Sequence, residues 1–196
     1  MEIVALGIDY GSKTSGFTAA ASYSSKGVVH VYQSVKGKDA DAWLLALTQK
    51  LKPKSIAIDA PLSLPGVYRN PRSFDNYHYR ECDRKTGAMS PMFLGGLTAR
   101  AMQLTSKLKS LGMESIIETY PKMVCSTLGL DMTRYKKDAG YLNELNFSDY
   151  LTETQVSDTI INWHQWDALM ALYACLKHQK GTASIVGNPE EGMIYF

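Results

Sequence analysis

The sequence predicts an α/β protein: one mixed sheet with helices packed on it. Two observations carry that prediction. Three short apolar or alternating runs follow one another within the first 35 residues, separated only by turns, as in an antiparallel meander. Beyond them, strand-like and helix-like runs alternate, and crossover units of that kind place their strands in parallel. The expected order is β-β-β-α-β, a long loop, then α-β-α.

Each element has its own signal. Ile3 to Asp9 is an apolar run stopped by Tyr10-Gly11, a buried strand ending in a turn. Gly16 to Tyr23 is small and apolar and ends at the turn cluster Ser24-Ser25-Lys26-Gly27. Val28 to Val35 alternates, with Val29, Val31, Gln33 and Val35 on one face. Asp39 can cap a helix to about Leu51, which Lys52-Pro53 stops. Ser55 to Asp59 is a second short buried strand. Residues 60–92 hold four prolines and no period, and a loop that long is usually functional or mobile. Gly96 to Leu111 has helical apolar spacing and ends at Gly112. Met113 to Glu118 is the fifth strand, and short helices are expected over 121–160. Asn162-Trp163-His164-Gln165 reads as a capping box opening a helix to about Gln179. Gly192 to Phe196 is a short strand at the tail, able to join its own sheet or a neighbour's.

Composition narrows the function classes. The chain has 196 residues, 45% hydrophobic and 20% charged, with a net charge of +2, which excludes disorder as the main state. About 70% of the unfolded surface can be buried at this length, enough for one domain spanning 1–196. Cys82, Cys125 and Cys175 are few, odd in number and scattered, which excludes a disulfide scaffold and a zinc site. No apolar run reaches the ~18 residues of a membrane span, and the start reads as a strand rather than a signal peptide. A cytoplasmic protein with no membrane partner is expected. The excess positive charge sits mid-chain: residues 66–113 carry eight Lys and Arg against three acids, with Tyr68, Phe74, Tyr77 and Tyr79 among them. Such a stretch is either a solvated loop or a surface for a polyanion.

The chemistry-bearing residues are carboxylates. Asp9 and Asp59 each end an apolar strand. If those strands are adjacent and parallel, their ends emerge about 4.8 Å apart, at the edge where open α/β sheets bind ligands. Asp167 lies in a helix apolar on nearly every face, so it is buried and needs a partner. Glu118 ends strand five. Each also has a plainer role: a turn bond for Asp9 and Asp59, a core ion pair or helix dipole for Asp167, a helix-start carboxylate for Glu118. His164, one turn before Asp167, is a cap or a substrate contact. Lys13, in the turn Gly11-Ser12-Lys13-Thr14-Ser15, is a candidate phosphate contact, although the turn is not a P-loop and also suits a plain hairpin. A cluster of strand-end carboxylates suits a hard cation, Mg2+ or Mn2+, and metal-assisted phosphodiester cleavage.

The segment GIDYGSKTSGFTAA resembles the first hairpin of the Holliday-junction resolvase branch of the ribonuclease H-like superfamily. More closely, the chain is similar to the domain-of-unknown-function family 429, predicted nucleases of that fold. The shared pattern is GIDYG at 7–11, IAIDAPLSLP at 56–65, Arg80-Glu81-Cys82-Asp83-Arg84, Glu118-Thr119-Tyr120-Pro121-Lys122 and His164-Gln165-Trp166-Asp167-Ala168-Leu169. The resemblance implies a five-stranded mixed sheet of order 3-2-1-4-5, the first three strands antiparallel, with the loop at about 60–92 inserted. It implies a catalytic metal site from Asp9, Asp59 and Asp167, with Glu118 as an addition. Asp59 stands where the resolvase branch usually has Glu, a residue of longer reach. Arg80 and Arg84 would lie over the site and either grip phosphate or lock onto Asp83. Lys122 would offset phosphate charge or stand as a surface lysine.

The resulting expectation is a two-metal nuclease acting on DNA or RNA. Two other readings stand beside it. One is a nucleotide-binding ATPase or phosphotransferase, an architecture that normally needs a duplicated domain. The other is a nucleic-acid-binding protein that has lost turnover.

Overall fold

The computed structural model describes residues 2–196. In chain order the elements are β1 (Ile3–Asp9), β2 (Ala19–Ser24), β3 (Val28–Gln33), α1 (Ala40–Leu51), β4 (Ser55–Asp59), α2 (Glu81–Thr86), α3 (Pro91–Leu94) and α4 (Gly96–Ser110). They continue with β5 (Ser115–Thr119), α5 (Pro121–Thr127), α6 (Ala139–Glu144), β6 (Gln155–Val156), α7 (Trp163–Gln179), β7 (Ile185–Asn188) and β8 (Gly192–Tyr195). All strands join one sheet of order β6-β3-β2-β1-β4-β5-β8-β7. Its centre is the expected ribonuclease H-like arrangement: β3, β2 and β1 antiparallel, then β4 and β5 parallel to β1.

The sheet has eight strands, not five. β6 adds two residues in parallel to β3, and β8 pairs in parallel with β5. β7 folds back on β8, and the tail thereby completes the chain's own sheet. These edges have no period of their own. They form because a neighbouring strand offers unpaired backbone groups. The 60–92 segment is also more ordered than expected, with a 3-10 turn at Gly66–Tyr68 and the helices α2 and α3. Helices of six and four residues are not stable alone, so tertiary contacts hold them and the sequence carries no periodic trace of them.

The period of two along the strands divides the core. Ala5 and Ala57 face α7 with Ile117, while Leu6, Ile8, Ile56 and Ile58 face α1 and α4. α1 is capped by Asp39, whose carboxylate accepts the N–H groups of Asp41 and Ala42. α7 lies directly on β1. A Cβ at Gly7 would fall 2.0 Å from the Leu172 nitrogen and 2.4 Å from the Ala168 oxygen. Glycine is therefore required there by the closeness of the helix backbone. Almost all of α7 from Gln165 to Leu176 is buried, as its apolar circumference requires. No helix of the described residues is long and apolar enough to cross a membrane.

Candidate metal centre

Asp9 and Asp59 are register partners on the parallel strands β1 and β4. Paired residues share a face, and this one looks towards α7. Asp167 enters from α7, two residues beyond Gln165, within the cap that fixes the helix start. Asn162 accepts the Gln165 N–H at 3.0 Å, and both side-chain amides donate to Gln33 at the end of β3, at 2.9 and 3.0 Å. The three aspartates each present an oxygen within 4.8 Å of the other two.

Their surroundings are short of positive charge. Tyr135 donates its hydroxyl to Asp167 Oδ1 at 2.5 Å. Asp167 Oδ2 receives no aligned hydrogen bond and has the Lys136 ammonium as its counter-charge. Burial pushes the Asp167 carboxyl up to about 6, with Lys136 opposing and Asp9 adding to the rise. Asp59 keeps some exposed surface yet lies deep among protein atoms. Burial, then Asp9, then Asp167 hold its carboxyl well above the usual range. Like charges raise each other in this way unless a cation sits among them. On the open side, His164 Nδ1 lies 2.8 Å from Asp9 Oδ2, and its ring stacks on the exposed Phe17 at 4.8 Å.

Glu118 is not part of this group. In β5 it pairs with Ile58, so it faces the α1 and α4 side of the sheet. There it meets Arg80, which is fully buried. All five guanidinium N–H groups are used. Nε and Nη2 reach Asp83 at 3.1 and 2.6 Å, Nη1 and Nη2 reach Glu118 at 2.7 and 2.6 Å, and Nη1 also reaches Ser63 at 2.8 Å. Arg80 therefore locks onto Asp83 and Glu118, and has no donor left for phosphate. Burial acts to lower the Arg80 value, but its bonds to Glu118 and Asp83 outweigh that and keep it charged. Burial raises the Glu118 carboxyl, against the pull of Arg80. Arg84 and Lys122 are exposed, and Lys13 is exposed in an ion pair with Asp39 at 3.0 Å.

Sequence reading missed Tyr135, Lys136 and Glu191. The requirement that buried Asp167 find a partner was legible, but not which residue supplies it. Glu191, buried, accepts the N–H groups of Gly66 and Glu81, each at 2.9 Å, and so pins both ends of the 66–81 stretch. A cavity of about 350 Å³ opens beside Asp59 between that segment and the sheet edge.

The model of the family described as "Protein of unknown function (DUF429)" matches residues 7–191. No curated protein matches the chain. Among solved structures, Thermus thermophilus RuvC in complex with a Holliday junction substrate is similar over 95% of this chain and 99% of that one. The identity is 13% and the TM-score 0.49. A second Thermus thermophilus RuvC structure is similar over 93% of this chain and 98% of that one, at 14% identity and a TM-score of 0.47.

Proposed function

The chain belongs to the DUF429 family, and on that premise we propose that it is a metal-dependent nuclease that hydrolyses phosphodiester bonds in DNA or RNA. The observation that carries the reading is the approach of Asp9, Asp59 and Asp167 to within 4.8 Å of one another. Three buried or half-buried carboxylates with one lysine between them form a hard oxygen donor set that fits Mg2+ or Mn2+. Asp167 Oδ2 has Lys136 alone as its counter-charge, so a divalent ion would share or displace that ammonium. Bound divalent ions lower the pKa of water and take up charge on the leaving oxygen.

The chain's own residues do the rest. Asp9, Asp59 and Asp167 hold the ions. Lys136, the ammonium next to Asp167, neutralises a phosphate oxygen brought to the group. His164 is oriented through Nδ1 by Asp9, and with its proton there, Nε2 is free to exchange one with water or the leaving oxygen. In the reaction a water oxygen bonds to phosphorus, one ester P–O bond breaks, and the departing oxygen takes a proton. The exposed cations Lys13, Arg84 and Lys122 hold the nucleic-acid backbone by charge. Exposed Tyr68, Tyr77 and Phe93 offer faces for stacking.

The test is a cleavage assay of wild type and Asp167→Asn on single-stranded, duplex, hybrid and branched DNA and RNA, in Mn2+, Mg2+ and EDTA. Metal-dependent cutting that the substitution abolishes is expected. Failure to cut any of these substrates overturns the reading.

A further inference from the structure

We infer that the cavity beside the aspartates is a subsite for a single unpaired nucleobase, so that the strand is cut next to a base turned out of its stack. The inference rests on the nuclease reading and names its substrate class.

The cavity's volume, about 350 Å³, lies at the small end of ligand pockets, about 300–1,000 Å³. It holds one nucleoside-sized group and cannot admit a base pair with both its backbones. Its lining is mostly apolar and includes Tyr10 and Tyr120, with Ala88, Leu94 and Leu97. Such a lining suits a stacked aromatic ligand. Tyr10 does not swing, because its hydroxyl donates to Asp41 at 2.5 Å and the Arg100 guanidinium lies 4.9 Å over its ring.

The charged residues of the lining form two groups. One is the half-buried Asp59 and the exposed Lys136, next to the other two aspartates. The other is Arg80, Asp83 and Glu118, all buried. Every N–H of Arg80 is already taken, so no donor there can receive a phosphate. The two carboxylates repel an anion. A ligand in the cavity must therefore be neutral beside Arg80 and carry its phosphate beside Lys136 and the cation that the aspartates would hold, which is the charge pattern of a nucleotide. Glu118 Oε1 accepts one hydrogen bond, from Arg80, and retains an acceptor position for an N–H on the edge of a base.

The roof is fixed. Glu191 holds the backbone of Gly66 and Glu81, and Arg80 ties the start of α2 to β5. Because the cavity is preformed, a base fills it without first ordering a lid. Duplex pairing would have to open, and that cost is least at unpaired or mismatched nucleotides.

The experiment is calorimetric titration of AMP, CMP, GMP and UMP into the full chain in Mg2+, with ribose 5-phosphate as the ligand that lacks a base. These monoesters contain no diester bond, so the readout is independent of cleavage. Wild type is expected to bind nucleotides at least tenfold tighter than ribose 5-phosphate. Ala88→Phe, which fills the cavity, is expected to erase that difference while melting as a folded protein; Leu97→Phe replaces it if it does not fold. Equal binding of nucleotides and ribose 5-phosphate overturns the inference, as does wild-type nucleotide binding by a folded, cavity-filled variant. Duplex cutting unaffected by the filled cavity overturns the inference and leaves the nuclease reading intact. Base-dependent binding with no cutting of any strand keeps the base subsite and overturns the nuclease reading.

Discussion

Glu118 pairs with Ile58 across β4 and β5, one residue short of Asp59, and that offset turns its carboxylate to the face opposite the three aspartates. The same offset brings it to Arg80, where both its oxygens accept guanidinium hydrogen bonds at 2.6 and 2.7 Å. Its role is thus set by register.

Glu118→Ala should leave a buried guanidinium with half its counter-charge. Breaking a buried pair in this way costs about 3–5 kcal/mol, so the denaturant midpoint should fall sharply. Mn2+ affinity, measured where the variant is still folded, should stay within about twofold of wild type. A collapse of Mn2+ binding in folded Glu118→Ala would place Glu118 among the ligands.

Stability should depend on pH in the acid-favouring sense. Asp167 moves from 3.8 to about 6 on folding, so in that window the folded chain holds a proton that the unfolded chain releases. Stability therefore falls as pH rises from about 4 through 6. The raised values of Asp59 and Glu118 act in the same direction. Melting temperatures in EDTA should decline across this range, and Asp167→Asn should flatten the decline. Mg2+ should restore stability above pH 6 and do little at pH 4, because only ionised carboxylates hold it.

Lys136 competes with a divalent ion for Asp167. Lys136→Met should therefore tighten Mn2+ binding several-fold in calorimetric titration without substrate. It should also weaken nucleic-acid binding, since the positive charge nearest the aspartates is gone. Weaker Mn2+ binding in the folded variant would mean that the ammonium organises the carboxylates and does not compete for them.

Gly7→Ala should be among the most damaging small substitutions. Its Cβ would lie 2.0 Å from the Leu172 nitrogen, which is backbone and cannot step aside. Overpacking of this kind costs about 1–3 kcal/mol or more, and each kcal/mol lowers the melting temperature of a chain this size by about 2–4 °C. Mn2+ binding should weaken too, because a displaced α7 carries Asp167 away from Asp9. Gly112→Ala is the control: its added Cβ meets nothing within 4 Å, and its positive φ makes the cost local strain.

Much of this was legible in the sequence because it is written locally. Alternation and apolar runs specify the meander and the crossover strands. Asp9 and Asp59 end two apolar runs, and the apolar circumference of α7 declares that Asp167 is buried. What the sequence could not carry was long-range register. Parallel strands are joined by whole helices, so no turn sets which residue opposes which, and a shift of one residue moves a side chain to the other face. That is why the sequence left Glu118 as an added ligand or a plain carboxylate and Arg80 as a phosphate grip or a lock, whereas in the structure Glu118 lies on the opposite layer and Arg80 is bound to Asp83 and Glu118. The tail strand β8 was legible as a strand, but β6 and β7 escaped for a related reason: their pairing is dictated by the neighbour they meet. Local sequence was enough to place Asp9 and Asp59 at the ends of two apolar strands and to bury Asp167 in α7. Which carboxylates share a face, and that Lys136 is the counter-charge of Asp167, emerge from the folded chain, because both depend on contacts between residues far apart in sequence.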